Sequence, residues 1–203
     1  MNKKMLRKKL ALMLSNLKKK RPFYTEVEYL ESSGTQYIDT GISAPSGYRG
    51  IVTLAPLANE TATLVGTQLG GKSNRLLTNS GRIKIACAST QYLGALFTVG
   101  TKYDIDFCTE ENYYLIVDGV QANAGNNPNG RSAGNLYVFA GTRQSAVGYF
   151  SKMQLYCLQL YVGNVLVRDY IPVLDWNRTP CLYDKVSGLL FYNAGTGDFV
   201  YGQ

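Results

Sequence analysis

The run Asn79-Ser-Gly-Arg-Ile-Lys-Ile-Ala-Cys87 alternates by twos behind a turn signal. That period puts Ile83, Ile85 and Cys87 on one face and Arg82 and Lys84 on the other, the pattern of a half-buried strand entered from a Gly-containing turn. A helix would need apolar residues three and four apart, which the run lacks. The device returns in Lys102-Tyr-Asp-Ile-Asp-Phe-Cys108, with Tyr103, Ile105 and Phe107 facing one way and Asp104 and Asp106 the other.

Outward from these two runs the same grammar continues. Asp118-Gly119 between Tyr113-Tyr-Leu-Ile-Val117 and Val120 predicts a tight hairpin, because both turn residues tolerate positive φ. A polar Gly- and Asn-rich loop, Ala124 to Gly134, precedes Leu136-Tyr-Val-Phe139. Met153 to Val162, a Gly163-Asn164 turn and Val165 to Ile171 form a further strand pair, which Pro172 is expected to end or border. Sixteen Tyr and 21 Gly with only 17% charged residues suit strands and tight turns better than surface helices. Recurrent strands without a sustained helical pattern predict one all-β sandwich from residue 23 to residue 203.

Residues 1–22 are different. Residues 1–21 hold nine basic side chains and no acid, which leaves 12 basic against 14 acidic groups in the rest and so a net charge of −2 there. The formal +7 therefore belongs to an arm. Within it Leu6, Leu10, Met13 and Leu17 recur with 4-3-4 spacing, one stripe of a short helix, with Arg7, Lys18 and Lys19 among its basic neighbours. Pro22 closes the pattern. Two heptads are too few for a stable isolated coiled coil but enough to dock on a partner. A solvated tail, docking to an assembly, and contact with nucleic acid or a membrane surface all remain open to such an arm. Leu10 to Leu17 is far too short to span a bilayer, and it runs into basic residues instead of a cleavage site, so export by a signal peptide is not expected.

Catalytic chemistry finds little purchase. The chain has no His, which removes the commonest general base and any Ser-His or Cys-His nucleophile. Its four Cys, at 87, 108, 157 and 181, lack zinc-site spacing and fit small buried hydrophobes better than disulfides. Asp104 and Asp106 could suggest calcium, but two outward acids on a strand more often face solvent. Gly70-Gly-Lys-Ser73 lacks the upstream Gly of a phosphate loop, and the sequons at Asn59 and Asn177 mean little without secretion. No catalytic residue, metal or cofactor is expected.

The ends of the body carry a family resemblance. Tyr29-Leu-Glu-Ser-Ser-Gly-Thr-Gln-Tyr-Ile-Asp-Thr-Gly41 stands at the front. Leu166-Val-Arg-Asp-Tyr-Ile-Pro-Val173, Leu182-Tyr-Asp184 with Ser187-Gly188, and Phe191-Tyr-Asn-Ala-Gly-Thr-Gly197 with Phe199 stand at the back. Together they resemble the concanavalin A-like (laminin G-like) jelly rolls of bacteriophage structural and tail-associated proteins and of related bacterial surface proteins. The resemblance spans about residues 24–201 and implies that the first and last strands lie together. It departs from the usual pattern at Asp175 to Cys181, where a Gly commonly precedes Leu-Tyr-Asp. Locally, Asp39 is placed to accept a bond from the backbone two residues on, in an Asx-turn.

The resemblance implies a non-enzymatic virion structural protein, a head or tail decoration or fibre-type display domain, and the stripe and charges of the arm make Leu6, Arg7, Leu10, Met13, Leu17, Lys18 and Lys19 its expected anchor. Its expected partners are other capsid or tail proteins and copies of itself, a trimer among the candidates, with adhesion to surface glycans as an added role. Nucleic acid would be met only through the arm. The alternative is a carbohydrate-binding or glycoside-hydrolysing bacterial surface protein. For sugar stacking the candidates are Tyr92, Tyr113, Tyr149 and Trp176, each of which could equally be packing. For hydrolysis the candidates are Glu26, Glu28 and Glu31, since strand alternation would put Glu26 and Glu28 on one face about 7 Å apart.

Overall fold

The computed structural model describes residues 24–143 and 146–203. The arm, with Leu6, Arg7, Leu10, Met13, Leu17, Lys18 and Lys19 and its expected helix, lies outside the described residues. The first half of the body runs β1 Tyr24–Glu26, β2 Leu30–Ser33, β3 Ile38–Ser43, β4 Arg49–Pro56, β5 Ala62–Leu69, β6 Lys72–Asn79, β7 Arg82–Ala88, β8 Thr90–Gln91, β9 Ala95–Leu96 and β10 Tyr103–Cys108. The second half runs β11 Asn112–Val117, β12 Val120–Asn126, β13 Asn135–Val138, β14 Gly141–Arg143, β15 Ala146–Gly148, β16 Lys152–Val162, β17 Val165–Asp175, β18 Pro180–Asp184, β19 Leu189–Phe191 and β20 Val200–Tyr201. No helix occurs among the described residues.

Two antiparallel sheets face each other. The larger is ordered β12-β11-β10-β4-β16-β17-β18-β19, with β1 added to β17 and β2 and β20 added beside β16. The smaller is ordered β3-β13-β5-β6-β7-β8, with β9 on β7. The alternation of the sequence becomes the core between them: Ile83, Ile85 and Cys87 from β7 meet Val52, Leu54, Ile105, Phe107, Leu158 and Leu160. Each such apolar side chain contributes roughly 1.5–3 kcal/mol by leaving water. Asp106, on the opposite face of β10, is held by Arg49 through two bonds of 3.0 and 2.7 Å, and Asp104 accepts the Thr53 hydroxyl at 2.6 Å. The two acids of β10 are thus engaged by strand β4 beside them.

Turns follow their residue chemistry. Asp118 and Gly119 both adopt positive φ between β11 and β12, as do Gly163 and Asn164 between β16 and β17. Asp39 accepts the Gly41 N–H at 2.9 Å, closing the Asx-turn. Pro172 does not end its strand as expected: β17 continues to Asp175. The Pro172 carbonyl accepts the Val27 N–H, so the ring nitrogen, which points the same way, faces the gap between the last residue paired with β16 and the first paired with β1. A missing donor is harmless in that gap.

The front and back motifs meet, as the resemblance implied. Leu30 and Glu31 pair with Tyr201 and Val200, the Thr35 hydroxyl donates to the Thr196 carbonyl, and the Asn193 side chain accepts the Tyr37 N–H. Asp184, fully buried, accepts the N–H groups of Asp169, Val186 and Ser187 and the Ser187 hydroxyl, with Arg168 at 3.7 Å. The divergent turn after β17 is organised by Asp175, which accepts the N–H groups of Asn177 and Thr179, each at 2.8 Å, and the Tyr192 hydroxyl at 3.1 Å.

Two outcomes follow from these carboxylates. Asp184→Ala leaves several donors unpaired and is expected to destabilise the domain by about 2–4 kcal/mol in urea unfolding. Burial alone would raise the Asp175 carboxyl, but the bonds from Thr179, Tyr192 and Asn177 outweigh it and hold it below the usual carboxylate value. Its stabilisation is therefore present above the unfolded value of about 4 and lost as pH falls through the folded one. The Tm gap between wild type and Asp175→Asn should be wide at neutral pH and close on that acid descent.

Candidate functional site

At one pole of the sandwich four loops gather around a cleft of about 620 Å3. Pro45, Ser46 and Gly47 come from the β3–β4 turn, Glu110 and Glu111 from the β10–β11 turn, and Asn112 from the start of β11. Asn127 to Arg131 come from the loop after β12, and Val162 and Gly163 from the β16–β17 turn. The lining mixes apolar surface from Pro45, Pro128 and Val162 with the side-chain amides of Asn112, Asn127 and Asn129 and two carboxylates.

Arg131 builds this rim. It is 5% exposed, and its guanidinium donates to the carbonyls of Thr109 and Asn129, to Glu110 at 2.7 Å and to Asn127 at 2.9 Å. Its own N–H reaches the Pro45 carbonyl at 3.3 Å. A buried cation is tolerable only when its donors are met, and carbonyl dipoles from adjoining loops meet these. Gly47 completes the closure: at φ +98° any Cβ would stand 2.6 Å from the Glu110 backbone, so only glycine lets the two turns touch.

Below the rim a buried polar knot ties the two sheets. The Thr109 hydroxyl accepts the Tyr48 N–H at 3.1 Å and donates to the Asn74 side-chain oxygen, while the Asn74 amide donates to the Ala44 carbonyl at 2.7 Å. The Tyr48 hydroxyl crosses the core to the Val65 carbonyl at 3.0 Å. The cleft therefore rests on a fixed floor. On its wall, Glu111 accepts from the Asn126 amide at 3.2 Å. Glu110 uses its backbone carbonyl on Arg131 and leaves its carboxylate without an ion pair among the described residues.

Of the aromatic candidates, the structure brings Tyr92 and Tyr113 together and neither of the others. Their rings stack on each other with centroids 3.9 Å apart, the Tyr113 phenol lies over Gly125, and the Asn127 amide donates to the Tyr92 hydroxyl at 2.7 Å. The pair thus buttresses a cleft residue from behind. Tyr149 lies elsewhere, with the buried Arg75 guanidinium 5.0 Å above its ring. Trp176 is 73% exposed in the turn after β17, the opposite end of that strand from Gly163. Eleven residues of strand separate it from the cleft, about 33 Å.

The acid pattern Glu26, Glu28 and Glu31 does not form a single strand face. β1 ends at Glu26, Glu28 sits in a bend, and Glu31 on β2 accepts from Gln154 at 2.8 Å. The four thiols are free, and burial pushes those of Cys87 and Cys181 up to about 12, so both stay protonated at neutral pH. Among the described residues no group of three or more His, Cys, Asp or Glu could hold a metal. Glu110, Glu111, Asn127 and Arg131 were not singled out from the sequence. Their signal is a turn of acids directly after a strand and a lone Arg inside an Asn/Gly loop.

No protein-family model matches the chain, and no curated protein matches it significantly in sequence. Solved structures do. A putative carbohydrate binding protein from Bacteroides ovatus superposes with a TM-score of 0.63 at 11% identity, covering 88% of this chain and 61% of that one, so the chain spans under two thirds of its length. The CBM40 of the Ruminococcus gnavus IT-sialidase, bound to α2,3-sialyllactose, superposes at 0.52 with 15% identity, covering 71% of this chain and 91% of that one. The fold is an all-β jelly-roll sandwich of the kind these proteins share.

Arg131→Lys keeps the charge but cannot span the same carbonyls. It should lower Tm and raise amide hydrogen exchange selectively in residues 110–112 and 126–131, the core strands staying protected.

Proposed function

We propose that this chain is a non-catalytic carbohydrate-binding jelly roll, held by its basic arm on a larger assembly, with the glycan seated in the cleft under Arg131. The cleft carries the reading. It is preformed, with side-chain amides and carboxylates suited to sugar hydroxyls, on a floor braced by Arg131 and the Thr109–Asn74 knot. The similar folds named above support it, because both are described as carbohydrate-binding or sugar-bound proteins.

The arm's position supports display. Tyr24, where the described chain begins, pairs with Asp175 at the end of β17, whereas the cleft adjoins the start of that strand. An anchor attached there holds the domain with its cleft pointing away. The end motifs and the charge segregated into the arm favour a bacteriophage virion as the assembly, with a symmetric oligomer such as a trimer presenting several clefts. Neither of the two structures named above comes from a phage; the virion setting rests on the sequence. A bacterial cell surface is the other setting.

A glycan array probed with the full-length protein tests the reading. Binding is expected, and Ser46→Trp, which adds bulk at an exposed turn residue of the cleft, should abolish it with Tm unchanged. Absence of any hit, or hits indifferent to Ser46→Trp, would place function elsewhere. Deleting residues 1–21 should release the protein from purified particles while leaving glycan binding intact.

A further inference from the structure

We propose that the cleft selects uncharged, hydroxyl-rich glycans and rejects acidic ones, an inference that rests on the carbohydrate-binding reading above. Its titratable lining consists of Glu110, Glu111 and Arg131. Arg131 is 5% exposed and has four N–H bonds to loop carbonyls, so it cannot turn to a ligand carboxylate without dismantling the rim. The two carboxylates therefore act without a free counter-cation inside the cleft. Glu111 is shared with the Asn126 amide, and Glu110 forms no ion pair among the described residues.

Carboxylates accept hydroxyl protons in short, charge-assisted bonds, and the neighbouring Asn side chains both donate and accept. A neutral sugar satisfies both kinds of partner. A sialylated or sulfated sugar would bring an anion against two carboxylates, and like charges brought together at an interface repel. Lys72, an exposed cation, approaches Gly130 but does not line the cleft, and Arg49, opposite Cys108 and Tyr161, is committed to Asp106. The predicted selectivity would exclude a sugar such as the α2,3-sialyllactose bound to the CBM40.

The test uses the full-length protein at about 0.15 M salt, where long-range attraction between the arm and acidic glycans is screened beyond roughly 8 Å. Neutral oligosaccharides and their sialylated or sulfated counterparts are titrated in matched pairs, and the readout is the part of the binding that Ser46→Trp removes. The acidic member of each pair should bind at least about tenfold more weakly, and Glu110→Gln with Glu111→Gln should largely erase that gap. Lys72→Ala should leave it unchanged. Equal or tighter cleft binding of the acidic member, or a gap indifferent to the Gln variants, would overturn the selectivity while leaving carbohydrate binding standing. No binding of either member would remove the reading itself, and the selectivity with it.

Discussion

The contact on which the cleft pole of the molecule depends is the hydrogen bond from the Thr109 hydroxyl to the Asn74 side chain. Thr109 belongs to the larger sheet's β10–β11 turn and Asn74 to β6 of the smaller sheet. Both are fully buried. A polar bond in an apolar core adds little net stability, but losing one partner leaves the other unsatisfied, so such a bond fixes how the sheets register. Asn74 passes this constraint to the β3–β4 turn through Ala44, and the Thr109 carbonyl passes it to Arg131. Rim geometry is therefore set by the core.

This arrangement divides labour along the fold. Aliphatic alternation holds the sheets together and tolerates exchange of one hydrophobe for another of similar size. The rim tolerates no such exchange at Arg131 or Gly47, where a guanidinium and a missing Cβ each answer a specific backbone geometry. The outward acids of β10 illustrate the surface rule: Arg49 and Thr53 engage Asp106 and Asp104 across the neighbouring strand.

Much of this was legible in the sequence, for identifiable reasons. Period-two alternation reported Ile83, Ile85 and Cys87 because one sheet face is dry, and Asp118-Gly119 and Gly163-Asn164 reported hairpins because few residues accept positive φ. The meeting of Thr35 with Thr196 came through the resemblance of the end motifs. The cleft was not legible. Arg131 lies in a loop without periodicity, and its burial follows from carbonyls contributed by turns distant in sequence. A proline inside a strand pattern predicts that the strand ends at it or borders it, and only the pairing gap between two neighbouring strands explains why β17 passes through Pro172. Tyr92 and Tyr113, which the sequence offers as sugar platforms or as packing, stack on each other, a pairing that no local pattern announces.

The pairing of β2 with β20 has a consequence for how the domain travels between proteins. Leu30 and Tyr201 are partners and the Glu28 N–H donates to the Gly202 carbonyl, so the last segment of the body runs back along the link between β1 and β2, toward the pole where β1 begins and away from the cleft. A module whose two ends share one doorway can be spliced into a loop of a host protein without stretching that host, because the inserted length begins and ends at nearly the same point. It can equally be reopened elsewhere by circular permutation, with Tyr24 and the residues after Tyr201 bridged by a linker long enough to span β1. Such a body behaves as an exchangeable cassette.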